Sequence, residues 1–129
     1  MKYSLKSSFA RLTLAMFAAI FVVTALGRSV AVTGAWAFCE GWLLCVPTSS
    51  LGYLKLIHML SVVIASVLMI LLLRKAWREQ REQNTLLPLT TVTGVLFFGQ
   101  ALIGSILVTR NYPMHLVILH TMSATHFLY

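Results

Sequence analysis

Hydrophobic residues occur along the chain in four long runs, separated by short segments that carry most of the charge. The runs cover residues 9–27, 53–73, 86–109 and 113–129. A hydrocarbon core of about 30 Å needs about 20 helical residues, and the first three runs meet that length. The pattern predicts an all-α integral membrane protein. It has one domain, residues 1–129, forming a four-transmembrane-helix bundle with an outer loop over 28–52.

Two features of the chain ends bear on this prediction. The fourth run is short and stops at Tyr129 without a charged flank, so we expect a truncated fourth helix. At the other end, Lys2 and Lys6 followed by a hydrophobic run also fit a cleaved signal peptide. Because the chain begins with Met1, we favour the interpretation in which residues 9–27 are kept as the first helix.

Composition and charge support the membrane interpretation and predict an orientation. Hydrophobic residues make up 59% of the chain and charged residues 10%, and there is no Asp, which excludes a soluble domain. The net charge of +7 does not indicate nucleic-acid binding, because the basic residues flank the hydrophobic runs. Seven fall on one side of the predicted membrane, namely Lys2, Lys6, Arg11, Arg74, Lys75, Arg78 and Arg81. Three fall on the other side, namely Arg28, Lys55 and Arg110.

This bias predicts a multi-pass protein of the cytoplasmic membrane, in contact with lipid and with both termini in the cytoplasm. The chain's two cysteines, Cys39 and Cys45, then fall in the outer loop. Oxidising conditions there favour a disulfide over two free thiols, and no histidine lies nearby in sequence to complete a zinc site. The loop also carries Trp36 and Trp42, so two interpretations stay open: an interfacial anchor, or a cap over a cofactor pocket.

All four histidines lie in the second and fourth hydrophobic runs, where ionisable residues are expensive and are therefore functional candidates. His58 comes six residues after Gly52, and His120 comes seven after Pro113. Both therefore lie roughly 9 to 11 Å below the outer boundary. Two imidazoles at one depth on facing helices can clamp a heme iron from opposite sides.

Packing offers a simpler explanation for several of these residues. A helix-to-helix hydrogen bond is the alternative for His58 and His120, and it is the explanation we prefer for His115 and His126. In the third helix, small residues permit close helix contact, and Gln100 can hydrogen-bond across it. These small residues are Gly94, Gly99, Ala101, Gly104 and Ser105.

The segment TGAWAFCEGWLLC, residues 33–45, resembles the T-G-S-G-x-x-C-P-D-W-P-x-C signature of the heme A synthase family. Further motifs of that family follow in the same order on the predicted helices. They are a second-helix histidine (His58 in LKLIHMLS), the third-helix motif Q-A-L-x-G (Gln100 to Gly104) and a fourth-helix L-H pair (Leu119 and His120). The resemblance covers the chain from Gly27 onward.

Members of that family contain two four-helix halves, each able to hold a heme between paired histidines, and this chain resembles one half. The resemblance implies a heme, b-type or heme O or A, whose iron is bound by His58 and His120. It also implies oxidation of the heme O methyl group to the formyl group of heme A. A homodimer would restore the eight-helix arrangement.

Several positions depart from the family pattern. Lys55 and Met59 stand where the family has Glu and Arg on either side of the second-helix histidine, and Ala31 replaces an Arg. If the family chemistry depends on an outer carboxylate, Glu40 is the candidate catalytic residue. Heme ligation is compatible with these changes, whereas oxidation of a substrate stays open. The second hypothesis is a non-catalytic small transmembrane subunit of a larger respiratory or photosynthetic membrane complex.

Overall fold

A computed structural model describes residues 7–39, 45–109 and 114–125, and over these ranges the protein is entirely helical apart from turns and loops. Its elements follow in the order α1 (Ser8–Thr33), a 3-10 turn (Ala35–Phe38), α2 (Ser50–Glu79), α3 (Leu86–Thr109) and α4 (Met114–Thr125). Contacts join α1 to α2, α2 to α3, α3 to α4 and α4 back to α1. The four helices therefore form a closed ring in which α2 stands opposite α4.

Three of the helices are long and apolar enough to cross a membrane. They contain 26, 30 and 24 residues in α1, α2 and α3, against the roughly 20 that a bilayer requires. Large apolar side chains lie exposed on their surfaces, including Phe17, Ile64 and Val95. A multi-pass membrane protein is indicated, because lipid is the solvent that such surfaces suit. Helix α4 is apolar but shorter, with 12 residues.

Local capping sets where the first two helices begin and end. The Ser7 hydroxyl accepts a hydrogen bond from the Ala10 amide at 3.1 Å, and the Ser49 hydroxyl accepts one from the Gly52 amide at 3.2 Å. At the end of α1, Gly34 adopts the left-handed conformation (φ 67°), which glycine tolerates best, and donates to the Val30 carbonyl.

These caps extend the helices beyond the hydrophobic runs. Helix α1 continues past Gly27 to Thr33, and α2 covers 50–79 where the hydrophobic run covers 53–73. At the far end of α2, Lys75 pairs with Glu79 at 2.6 Å, a helical i,i+4 contact that supports the charged last turns. Part of the predicted outer loop, and part of the charged segment before α3, is therefore helical.

The buried core lies toward the end of the bundle that holds the α2–α3 connection. Met16 of α1 packs there with Phe97 of α3 and with three residues of α2. Those three are Ala65, Met69 and Leu72. Gly94 of α3 fits against Leu73, where an added Cβ would lie 2.9 Å from the nearest side-chain atom. Close packing at this end leaves the opposite half of the bundle to enclose a cavity.

Candidate functional site

A cavity of about 630 Å³ lies between the four helices, in the half of the bundle that carries the 3-10 turn. Its wall is mostly apolar, and its volume falls in the range of about 300–1,000 Å³ that is typical of ligand pockets. The polar and basic residues of the wall are few. They are Thr24, Arg28, Lys55, His58, Ser66, Gln100, Ser105, His120 and Thr121.

The two histidines predicted to share a depth both line this cavity. His58 belongs to α2 and His120 to α4, so they come from opposite helices of the ring. The Nδ1 atom of each ring is buried and has no hydrogen-bond partner among the described residues. A buried polar atom without a partner destabilises a protein by about 1–3 kcal/mol, so such atoms usually indicate a missing ligand, ion or water.

Gln100 connects α3 to α4 at the level of His120. Its amide nitrogen donates to the His120 carbonyl at 3.3 Å and contacts the Ser123 hydroxyl at 2.5 Å. Because a carbonyl only accepts, these contacts fix which end of the amide faces α4. The other end, Gln100 Oε1, is buried without a partner. Within the described ranges, three buried side-chain atoms have no hydrogen-bond partner: this oxygen and the Nδ1 atoms of His58 and His120. All three belong to residues that line the cavity.

Lys55 lies one helical turn before His58 and has a role that its charge alone did not predict. The distribution of basic residues along the chain predicts an outer topology charge at this position, yet the residue is only 4% exposed. Its ammonium group donates to the Trp36 carbonyl at 3.2 Å and to the Cys39 carbonyl. Cys39 and Cys45 form a disulfide with their Cα atoms 5.5 Å apart. Lys55 therefore holds the disulfide-bearing segment against the start of α2.

The charge of the cavity wall is one-sided. Arg28 and Lys55 both line it, and the described part of the wall contains no Asp or Glu. A ligand that combined a large apolar body with an anionic group would match this distribution.

One of the other two histidines is described by the structure, and it does not line the cavity. His115 lies exposed on the first turn of α4 and is absent from the wall. Glu40, Trp42 and His126 lie outside the described residues. In the described part of the chain, no cluster of three or more His, Cys, Asp or Glu side chains could hold a bare metal ion. A heme iron needs only two axial ligands from the protein.

Two contributors to the site were not identified as such from the sequence. Gly27 of α1 lines the cavity against His58, and Lys55 is a buried tether. The role of Lys55 could have been suspected from the sequence, because a lysine early in a hydrophobic run needs a hydrogen-bonding or charged partner if it is buried. For Gly27 the contact depends on which helix faces α2, and the sequence does not encode that directly.

Comparison with known proteins relates the chain to one with a heme-related name. No family model matches the sequence, and no solved structure matches it. Among curated proteins, the chain is 26% identical over 106 residues to a protoheme IX farnesyltransferase of Haloquadratum walsbyi. The match covers 78% of this chain but 22% of that protein, so the chain spans about a fifth of its relative's length. The chain is thus weakly similar to part of a protein named for protoheme IX.

Proposed function

We propose that this chain is a heme-binding membrane protein in which His58 and His120 would hold the iron of one heme. The observation that carries the proposal is the pair of cavity-lining imidazoles on opposite helices, each with a buried nitrogen that has no partner. A bound iron would coordinate one nitrogen of each ring, and histidines of facing helices are residues that can hold a heme between them.

The other properties of the cavity fit the same ligand. A porphyrin is large and flat with an apolar body and two carboxylates, and the wall is apolar with Arg28 and Lys55 as its basic residues. Arg28 is the residue that would meet a carboxylate, because the Lys55 ammonium group is held by the Trp36 and Cys39 carbonyls. When bound, the heme would supply one-electron redox chemistry, while the chain would bind and orient it and exclude water. The relative's name, which refers to protoheme IX, supports the ligand class.

The proposal includes a topology. We infer that α4 is part of a fourth membrane span over 113–129, and that the segment with Cys39 and Cys45 faces outward from the cytoplasmic membrane. Both termini are then cytoplasmic, in accordance with the seven-to-three distribution of basic residues. The candidate heme lies near the outer face.

The resemblance to heme A synthases suggests one activity for this site. The chain would act as one half of such an enzyme, with a homodimer forming the complete unit and oxidising the methyl group of heme O to the formyl group of heme A. Glu40 is the carboxylate that the resemblance offers for this role. The proposed catalytic function depends on that residue, and the proposed heme ligation does not.

A specific observation favours a second function, that of a non-catalytic subunit in a larger respiratory or photosynthetic membrane complex. Lys55 stands where the family has a glutamate, and its ammonium group is held by the Trp36 and Cys39 carbonyls. A group in this arrangement serves the packing of the loop and cannot replace a carboxylate in proton transfer.

Removal of the ligands tests heme binding. The purified wild-type chain is expected to give a Soret band that shifts on reduction, and His58→Ala or His120→Ala is expected to abolish or strongly weaken it. His115→Ala is the matched control, because His115 is exposed on α4 outside the cavity. A wild-type chain without a Soret band, or a band that survives both cavity substitutions, contradicts the assignment.

A separate experiment distinguishes the two functions. The purified protein is incubated with heme O, an electron acceptor and oxygen, and the extracted hemes are separated by chromatography. Formation of heme A that is lost in Glu40→Gln supports the enzyme. Absence of conversion, together with purification of the chain in fixed stoichiometry with a large membrane complex, supports the subunit.

A further inference from the structure

Each candidate ligand packs against a glycine of the neighbouring helix. Gly27 of α1 faces His58 of α2, and a Cβ added at Gly27 would lie 3.0 Å from His58 Cε1. It would also lie 3.5 and 3.6 Å from Nε2 and Nδ1 of the same ring. Separations near 3.0 Å are shorter than ordinary van der Waals contact, so the ring lies as close to the α1 backbone as it can.

The same contact recurs on the other side of the cavity. Gly104 of α3 faces His120 of α4, and a Cβ added there would lie 3.1 Å from His120 Cε1. Its distances to Nε2 and Nδ1 of that ring would be 3.5 and 3.8 Å. In both contacts Cε1 is the nearest atom and Nε2 the next, so the two rings present the same edge to their glycines.

The two contacts relate the two helical hairpins of the chain. In α1–α2 and again in α3–α4, the first helix supplies a glycine and the second supplies a histidine. All four residues line the same cavity. The other glycines of α3 lack this contact. A Cβ at Gly99 would meet nothing within 4 Å among the described residues, and the three atoms nearest to one at Gly94 all belong to Leu73.

We propose that Gly27 and Gly104 are positioning residues that set the orientation of the two axial imidazoles, an inference that rests on the proposed heme ligation. A side chain at either position occupies the space beside Cε1, so the ring must tilt or turn by a few tenths of an ångström. Because an axial ring is held at the metal through one nitrogen, such a displacement rotates the ring plane or strains the iron–nitrogen bond.

The test uses the full chain in detergent, loaded with hemin and observed by electron paramagnetic resonance. In a low-spin ferric heme with two imidazole ligands, the largest g value depends on the angle between the ring planes. We expect Gly27→Ala and Gly104→Ala to shift that g value and to lower hemin affinity by about 10-fold, the lower end of the effect for groups that orient metal ligands. Circular dichroism verifies that the variants keep their helix content.

Two control variants separate ligand orientation from helix packing. Gly99→Ala adds a methyl group to the same helix in open space, and Gly94→Ala crowds Leu73 away from both imidazoles. We expect wild-type g values and affinity from Gly99→Ala, and unchanged g values from Gly94→Ala even if its stability changes.

The outcomes distinguish this inference from the function on which it rests. A wild-type chain that binds no hemin overturns both. A wild-type chain with a low-spin signal that Gly27→Ala and Gly104→Ala leave unchanged overturns the role of the glycines alone. A Gly94→Ala variant that shifts the g value as much as Gly27→Ala and Gly104→Ala would also overturn the role of these two glycines.

Discussion

His58 and His120 occupy positions where an imidazole is expensive. Each lies within a largely apolar stretch of its helix, each lines the same cavity, and each has a buried Nδ1 without a partner in the part of the chain that the structure describes. A plain packing role would pair such atoms, as Gln100 pairs its amide nitrogen with α4. The unpartnered Nδ1 atoms are therefore the observation that supports the proposed ligand.

Lys55 is predicted to stabilise the outer segment of the protein. Lys55→Met removes the donor to the Trp36 and Cys39 carbonyls while keeping most of the side-chain volume. Since hydrogen bonds to charged groups contribute about 1.5–3 kcal/mol, we expect a loss of about 2 kcal/mol in the free energy of unfolding. Thermal unfolding in detergent, followed by circular dichroism, measures it.

Lys75→Met is the matched control for this substitution. Lys75 forms a partly exposed i,i+4 pair with Glu79, and such pairs contribute about 0.3–0.5 kcal/mol. Equal effects of the two substitutions would contradict the tethering role of Lys55.

At the scale of the elements, α4 depends on a small number of specific contacts. Gln100 of α3 links the two helices through the His120 carbonyl and the Ser123 hydroxyl. Gln100→Leu is predicted to lower the free energy of unfolding by about 1 kcal/mol, which is in the range for hydrogen bonds between membrane helices. It should also weaken heme binding, because His120 loses the contact that holds its backbone.

Thr93→Ala controls for the loss of a polar group from α3, because the Thr93 hydroxyl donates to the Leu89 carbonyl one turn back in the same helix and Thr93 is not part of the described cavity wall. Thermal unfolding and hemin titration of both variants provide the measurement. A Gln100→Leu variant that behaves like Thr93→Ala would show that the link between α3 and α4 is dispensable.

The sequence predicted the elements better than it predicted their ends. Hydrophobic length and the scarcity of charge within each run identify α1, α2 and α3, because a membrane span has a strong signal of its own. The ends differ since Ser7, Gly34 and Ser49 set them through hydrogen bonds and backbone conformation, which a hydrophobicity pattern does not report. The fourth span and the orientation of the termini stay predictions.

For the candidate site, the sequence predicts how deep His58 and His120 lie in the membrane, but it does not predict which neighbouring helix each side chain faces. Counting residues from Gly52 and Pro113 predicted that His58 and His120 share a level, and both line one cavity. The contacts of Gly27 and Gly104 with those rings depend on how each helix is rotated against its neighbour. That rotation arises from packing among all four helices.

At the scale of the whole molecule, the orientation in the membrane can be measured with thiol chemistry. Val46→Cys, in a background where Cys39 and Cys45 are Ser, is predicted to react with a membrane-impermeant maleimide applied to the outside of intact cells, because Val46 is 83% exposed. The control has Gln83→Cys in a background where both native cysteines are Ser, which places the thiol in the α2–α3 connection. The thiol at position 83 should react only after the membrane is permeabilised. The reverse labelling pattern would show that the topology is opposite to the proposed one.

Because the four helices enclose one cavity with both histidines, the proposed function predicts one heme per polypeptide. A pyridine hemochrome assay on the purified chain, combined with protein quantification by amino-acid analysis, counts hemes per polypeptide. We expect one low-spin heme per chain in the wild type and in His115→Ala, and little or none in His58→Ala and His120→Ala. A wild-type chain that purifies without heme and takes up none from hemin, or a heme that remains bound when both His58 and His120 are replaced, would contradict it.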